Sequence, residues 1–254
     1  MSSSQRLTKK IIIATIYILI FISIVFIIIV NFFPRKTEII IEKLDIQTLQ
    51  VIKSGVIKLD NGKLDFWAEI NNPNDDFGAS EFTYTFILKD TKGNEVRKSD
   101  KSFILPGDKK RYVVLLNISP DYTLVNFELS SEPVWTKLSQ IDLPELVIRN
   151  VSLGNSVKAG NKFTLSGIIT NASAVNLKNI EVIAILTDGK DNIIGINKTL
   201  IRDVISSESR EFEMIWDNEI NNTSVANTTV YTQSNILKDK ELLIQLQQNP
   251  IFDR

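Results

Sequence analysis

The chain has 254 residues, 29 basic and 30 acidic, with no cysteine and no histidine. Lacking both residue types, it is excluded from Cys/His zinc sites, His- or Cys-ligated haem, Ser–His–Asp and Cys–His catalysis, and any disulfide framework. Three of the basic residues stand in 1–33 with no acid beside them, so the remainder is weakly acidic, has no basic face for DNA or RNA, and no nucleic-acid partner is expected.

In chain order, residues 1–10 form a short basic tail with Arg6, Lys9 and Lys10. Residues 11–33, running from Ile11 through Ile20 and Ile29 to Phe33, carry no charge. About 23 residues at 1.5 Å each suffice to cross a hydrocarbon core of about 30 Å. In lipid a helix pairs its own backbone, so β-branched residues do not prevent it. The expectation is therefore one transmembrane α-helix, with Ile11, Ile20, Ile29 and Phe33 as membrane anchor and lipid as a partner. A cleaved signal would end in a small-x-small site, whereas Asn31-Phe32-Phe33-Pro34 stands at this boundary. The basic tail places the N-terminus in the cytoplasm and the bulk outside, although Arg35, Lys36 and Lys43 nearly balance the count. Asn-x-Ser/Thr triplets at Asn117, Asn171, Asn197, Asn221, Asn222 and Asn227 are compatible with an outside location.

After a juxtamembrane segment, 34–45, the pattern changes to alternation. In Glu81 to Lys89, Phe82, Tyr84, Phe86 and Leu88 share one face, with Ile87 the exception on the other; this is a half-buried strand. Asp90-Thr91-Lys92-Gly93-Asn94 follows as a hairpin loop in which Gly93 supplies a positive φ.

The same pattern returns about a hundred residues later. Lys63 to Asn72 corresponds to Lys162 to Asn171; Phe82 to Leu88 corresponds to Ile180, Val182, Ala184 and Leu186; Asp90 corresponds to Asp188. Tyr112, Val114 and Leu116 are matched to Phe212, Met214 and Trp216. Three matched strands in order argue duplication. The expected fold class is all-β: two tandem β-sandwiches, 46–142 and 146–236, behind the helix. The joint, Ser139 to Pro144, is short, so the two are expected to touch. The tail, 237–254, is charged and Gln-rich, and is expected to make a last helical turn or to fray.

Phe86-Ile87-Leu88-Lys89-Asp90 resembles the motif of the FxLYD family, with Lys89 in place of tyrosine. Asn72-Pro73-Asn74 at a strand end is similar to the signature of late-embryogenesis-abundant type-2 (water-stress, WHy) domains, and Leu105-Pro106-Gly107-Asp108 fits the same group. The second copy has Ala184-Ile185-Leu186-Thr187-Asp188 and Asn171-Ala172-Ser173 instead. The resemblance implies immunoglobulin- or fibronectin-III-like sandwiches, often on membrane-anchored proteins. It supplies no catalytic residue, and a shared fold does not convey function.

Candidate sites are few. Asn71, Asn74, Asp75 and Asp76 form the densest oxygen cluster and are candidate calcium ligands, although Asn, Pro and Asp are also ordinary turn formers. Asp75 and Asp76, adjacent on extended chain, point apart and do not suit glycosidase chemistry. Glu211 and Glu213 share the face opposite Phe212, Met214 and Trp216, the solvated side of a strand. Lys109-Lys110-Arg111 is a short basic run of the kind that guards a sheet edge. Trp216 belongs to a core face; Trp67 lies on the face opposite Leu64 and Phe66, either exposed or covered by a neighbouring element; Trp135 sits near the domain junction. A Ser–Lys dyad would need a motif just beyond the apolar stretch, where Arg35-Lys36-Thr37-Glu38 stands instead. The expectation is a membrane-anchored, extracytoplasmic, non-catalytic interaction protein without cofactor, partnered by another envelope protein. The alternative is a glycan- or calcium-binding module.

Overall fold

In the computed structural model, residues 15, 17–23, 25, 46–129, 132–138, 142–157, 159–160, 162–216, 220 and 224–248 are described. The chain divides into two units, Met1–Asp45 and Ile46–Arg254. In the first, residues 15, 17–23 and 25 are helical, and Tyr17, Leu19 and Ile20 are exposed. Among the described residues no helix is long and apolar enough to cross a membrane. The transmembrane helix expected over 11–33 is therefore corrected. Residues 15 to 25 would span about 16 Å at helical rise, about half of what a bilayer core requires. Ile20 is part of this short helical stretch, while Ile11, Ile29 and Phe33 lie outside the described residues.

The second unit is all-β apart from its end. It comprises β1 (Gln50–Lys58), β2 (Leu64–Asn71), β3 (Phe77–Lys89), β4 (Glu95–Ile104), β5 (Arg111–Ile118), β6 (Thr123–Leu129) and β7 (Val134–Lys137). A second run follows: β8 (Leu146–Ser156), β9 (Lys162–Asn171), β10 (Leu177–Thr187), β11 (Ile193–Val204), β12 (Ser209–Trp216) and β13 (Asn227–Gln233). A 3-10 turn (Ile236–Lys238) and helix α1 (Lys240–Gln248) come last. The tail is thus helical through Gln248.

The two runs of strands share one sheet order. The sheet β1-β2-β5 faces β4-β3-β6, with β7 also paired to β3; β8-β9-β12 faces β11-β10-β13. Each half is a two-sheet sandwich. In the first, Phe66, Ala68, Ile70 and Val113 meet Phe82, Tyr84, Phe86, Leu88 and Phe127. In the second, Phe163, Leu165, Ile169, Phe212, Met214 and Trp216 meet Ile180, Val182, Ala184 and Leu186. The alternation of β3 and β10 therefore points its apolar face inward as expected.

The expected match of β5 to β12 is shifted by one residue. Ala68 stands opposite Val113, and its counterpart Gly167 stands opposite Phe212. Hence Val113 and Leu115 correspond to Phe212 and Met214, while Tyr112, Val114 and Leu116 correspond to Glu211, Glu213 and Ile215. A one-residue slip exchanges the two faces of a strand. The reason for the misreading is that β5 is apolar on both faces.

That second apolar face is what joins the two halves. Ile57, Leu59, Trp67, Tyr112 and Val114 on the outside of β1-β2-β5 pack against Ile183, Ile185 and Ile196 on the outside of β10-β11, with Leu116, Ile193 and Tyr231 at the margin. Phe103, Leu105 and Leu138 of the first half join the core of the second. Gly55 lies where a Cβ would come within 2.8 Å of the Trp67 ring, so the ring crosses β1 only because that position has no side chain.

Candidate functional site

The loop between β2 and β3 is built around one side chain. Asn72 is fully buried; its Nδ2 donates to the carbonyls of Phe77 (2.6 Å) and Leu105 (2.9 Å), and its Oδ1 accepts from the Asn74 backbone N–H (3.0 Å) and Asn74 Nδ2 (2.9 Å). The same amide thus ties the β2 end to the β4–β5 turn, where Gly107 N–H donates to the Asn74 carbonyl (2.8 Å). Asn171 repeats this in the second half. Its Nδ2 donates to Val175 (2.8 Å), Val204 (3.2 Å) and Ile205 (3.2 Å), and its Oδ1 accepts from the Ser173 hydroxyl (2.5 Å). The Asn-Pro-Asn and Asn-Ala-Ser segments are one hydrogen-bonding device, which supplies donors to carbonyls of both loops.

This placement bears on the calcium candidates. Asn74 pairs with the Gln47 backbone in both directions at 2.8 Å. Asn71 Nδ2 donates to Gln50 Oε1 (3.0 Å), and its Oδ1 is buried with no hydrogen-bond partner among the described residues. Asp75 is 86% exposed and lies 3.5 Å from Lys109 Nζ. Asp76 is exposed, and its carbonyl accepts from Leu138 N–H (2.8 Å). Asn74 is occupied by these bonds, and both aspartates are exposed. Among the described residues no three acidic side chains group to hold a metal ion.

The hairpin tips are a second repeated device. Asp90 Oδ1 accepts from the N–H groups of Lys92 (2.9 Å) and Asn94 (2.8 Å), and Oδ2 accepts from Asn94 Nδ2 (2.9 Å). Asp188 does the same with Lys190 and Asn192 at 2.8, 2.9 and 2.9 Å. These bonds, led by the asparagine side chain, hold both carboxyls below the ordinary aspartate range. Gly93 takes the positive φ (84°), and Asp191 takes it in the second tip (61°).

Sequence reasoning missed the charged seam between the halves. Arg111, only 3% exposed, is the buried member of the basic run. It pairs with Glu181 (2.6 Å), donates to Gln233 Oε1 (2.7 Å) and Ser102 Oγ (3.1 Å), and lies 4.3 Å over the Phe103 ring. Gln233 in turn donates to Asp108. Burial pushes the Asp108 carboxyl up, against the Gln233 bond and the Arg111 charge. Nearby, Tyr112 donates to the buried Glu69 (2.9 Å), which Lys53 approaches at 3.6 Å; burial, then the Glu69 bond, raise the Tyr112 hydroxyl well above its usual range. The only available signal was the apolar second face of β5 beside a charged residue.

The remaining candidates are structural. Trp67 and Trp216 are buried, the first between the halves and the second in a core; Trp135 packs half-buried against the core of the first half. Glu211 and Glu213 lie on the exposed face of β12. The triplet residue Asn171 is buried, and Asn197 Nδ2 donates to the Ile215 carbonyl (2.8 Å); Asn221 and Asn222 lie outside the described residues.

No family model matches the chain, and no curated protein matches it. Among solved structures, red sea bream transglutaminase is 16% identical over 76% of this chain and 30% of that one, with a TM-score of 0.23. A Bacteroides uniformis β-glucuronidase is 12% identical over 68% of this chain and 26% of that one, with a TM-score of 0.20. The chain spans less than a third of either, and neither likeness bears on function.

Proposed function

We propose that the chain is a non-catalytic interaction protein: a stiff pair of immunoglobulin-like sandwiches, of the FxLYD and water-stress kind, that offers a sheet edge to a protein partner. The family reading is supported by the placement of its motif residues, since Asn72 and Asp90 hold the two turns that those motifs mark. A single observation carries the functional reading. Strand β1 is an outer strand of its sheet, and Val51, Ile52 and Val56 on it are 40%, 50% and 45% exposed. Isolated exposed apolar residues are ordinary, but three on one unpaired edge form a template for strand addition.

The strand carries Lys53 and Lys58 and no acid, so the occupant that fits is an extended, acid-bearing segment of a partner protein. Both outer strands carry a bulge, β1 at Ile52 and β8 after Arg149, but on β8 the residue before it is charged, where β1 has Val51. The test uses the full-length protein as bait, with a photo-crosslinking residue at Ile52. A partner that crosslinks there, is lost with V51E/V56E and is kept with E213K on the far sheet supports the reading. A partner that binds all three forms equally, or no crosslinked partner at all, removes it.

A further inference from the structure

The stretch that follows β13 joins the halves a second time, away from the Trp67 seam. Gln233, the last residue of β13, donates to Asp108 and accepts from Arg111 (2.7 Å). Two residues on, Asn235 Nδ2 donates to the Ser80 carbonyl (3.0 Å), and Lys238 Nζ meets Glu81 at 2.5 Å. Leu237 fills a notch over Gly78, where an added Cβ would come within 2.7 Å of Leu237 Cδ1 and 2.9 Å of Pro106 Cδ. Lys178 then ties Asp239 to the second half at 2.7 Å, and α1 lays Leu242, Leu243 and Leu246 on the core.

The first half is shaped to receive this stretch. On β3, Ala79 stands opposite Trp135 of β7 and Ile104 of β4, after which both pairings shift: Glu81 stands opposite Val134, and Phe82 opposite Ser102. Ser80 therefore has no opposite residue in β7 and shares Phe103 with Glu81 across β4. The extra residue of a bulge is left out of the ladder; here its carbonyl is taken by Asn235 of the other half. The equivalent start of β10, from Leu177 to Ile180, pairs with β11 without a shift. The irregularity thus lies where the second half attaches.

We propose that residues 234–246 are a strap that lifts as a unit while both sandwiches stay folded. Closed, it locks the halves into one body. Open, it leaves them joined through the Trp67 seam and bares the Gly78 notch and the Ser80 carbonyl. Its ties suit such a motion. The Lys238 and Lys178 side chains are each more than half exposed, and no strand ladder holds the stretch. Its apolar hold is confined to Ile236, Leu237 and one face of α1, while Lys240, Glu241, Ile244 and Gln245 are exposed. A helix of nine residues has little stability of its own in water, and segments held in this way open below global unfolding.

The chain lacks cysteine, so one introduced thiol reports opening. In the full chain, L237C, at a position 5% exposed, is expected to react with a thiol reagent at least about tenfold faster than M214C, at a position 2% exposed in the second core. N235A/K238E removes the Ser80 donor and sets a carboxylate against Glu81, which keeps Lys101. Adding it is expected to speed L237C labelling by a further factor of about ten and to leave M214C unchanged. In the unsubstituted chain, the Leu243 amide, which donates to the Asp239 carbonyl (3.0 Å), should be at least about tenfold less protected against exchange than that of Ile183 in β10. Equal labelling of L237C and M214C, or equal protection of Leu243 and Ile183, overturns the proposal, because the stretch would then open only when the second sandwich unfolds. So does an N235A/K238E change that moves neither thiol, or both alike.

Discussion

The two sandwiches share a topology, a core pattern and two loop devices, yet they treat the outer faces of their equivalent sheets in opposite ways. On β2 and β5 the outward residues are Asp65, Trp67, Glu69, Tyr112 and Val114, all buried. On β9 and β12 the equivalent positions are Thr164, Ser166, Ile168, Glu211 and Glu213, and both glutamates are exposed. One face is an internal interface; on the other Thr164 is buried, Ser166 and Ile168 are half-buried and the β12 positions are solvated. The halves thus share a core pattern, and a few outward residues set how they stack.

The largest effect is expected at Trp67. Truncation to alanine empties the centre of the seam, and W67A should cost about 3–5 kcal/mol in denaturant unfolding, as large-to-small changes at buried aromatics do. The converse change, S166W on the open face, should alter stability by less than about 0.5 kcal/mol. If W67A were as mild as S166W, the two faces would not differ in the way described.

The asparagine device tests the other side of the comparison, that the halves are alike where they are alike. N72A removes the amide donor to the carbonyls of Phe77 and Leu105, and N171A that to Val175, Val204 and Ile205, although Leu105, Val175 and Ile205 each keep a second, longer bond or a turn N–H. Each should cost about 2–3 kcal/mol by the same unfolding measurement. A cost confined to one of them would show that the second loop is held by something else.

What could be read from the sequence followed from periodicity. Strand β3 and its partner β10 were legible because one face of each alternates cleanly, and the Asp90 turn because Gly93 marks it. The β5 register was not legible: Tyr112 to Leu116 is apolar at every position, and only a neighbouring domain explains why both faces are. For the same reason the position of Trp67 stayed open between exposure and cover. The oxygen-rich loop at 71–76 read as a cation candidate because composition does not reveal that Asn72 and Asn74 spend their polar atoms on backbone groups. Arg111 was grouped with two exposed lysines, since sequence proximity carries no information about Glu181 and Gln233, which meet it from the other half.

The smallest effect belongs to the hairpin tips, which differ at two of five positions, Thr91 against Gly189 and Gly93 against Asp191, the second pair sharing one conformation. Gly93 has φ 84° and open space where a Cβ would stand, while Asp191 holds φ 61° with a side chain. Because no neighbour obstructs position 93, G93D isolates the left-handed strain and should destabilise by about 0.5–1 kcal/mol, and D191G should stabilise by a similar amount. Both tips should also share one acid limit. The carboxyls of Asp90 and Asp188 are depressed below 3.8 by their asparagine and backbone donors. Their contribution is therefore fully present above that pH and is lost as pH falls through the lower folded values. Protection of the Lys92, Asn94, Lys190 and Asn192 amides against exchange, relative to the free-chain rate at the same pH, should fall together below about pH 4; if one tip loosened at a clearly higher pH than the other, the two loops would not be the same device despite their matching bonds.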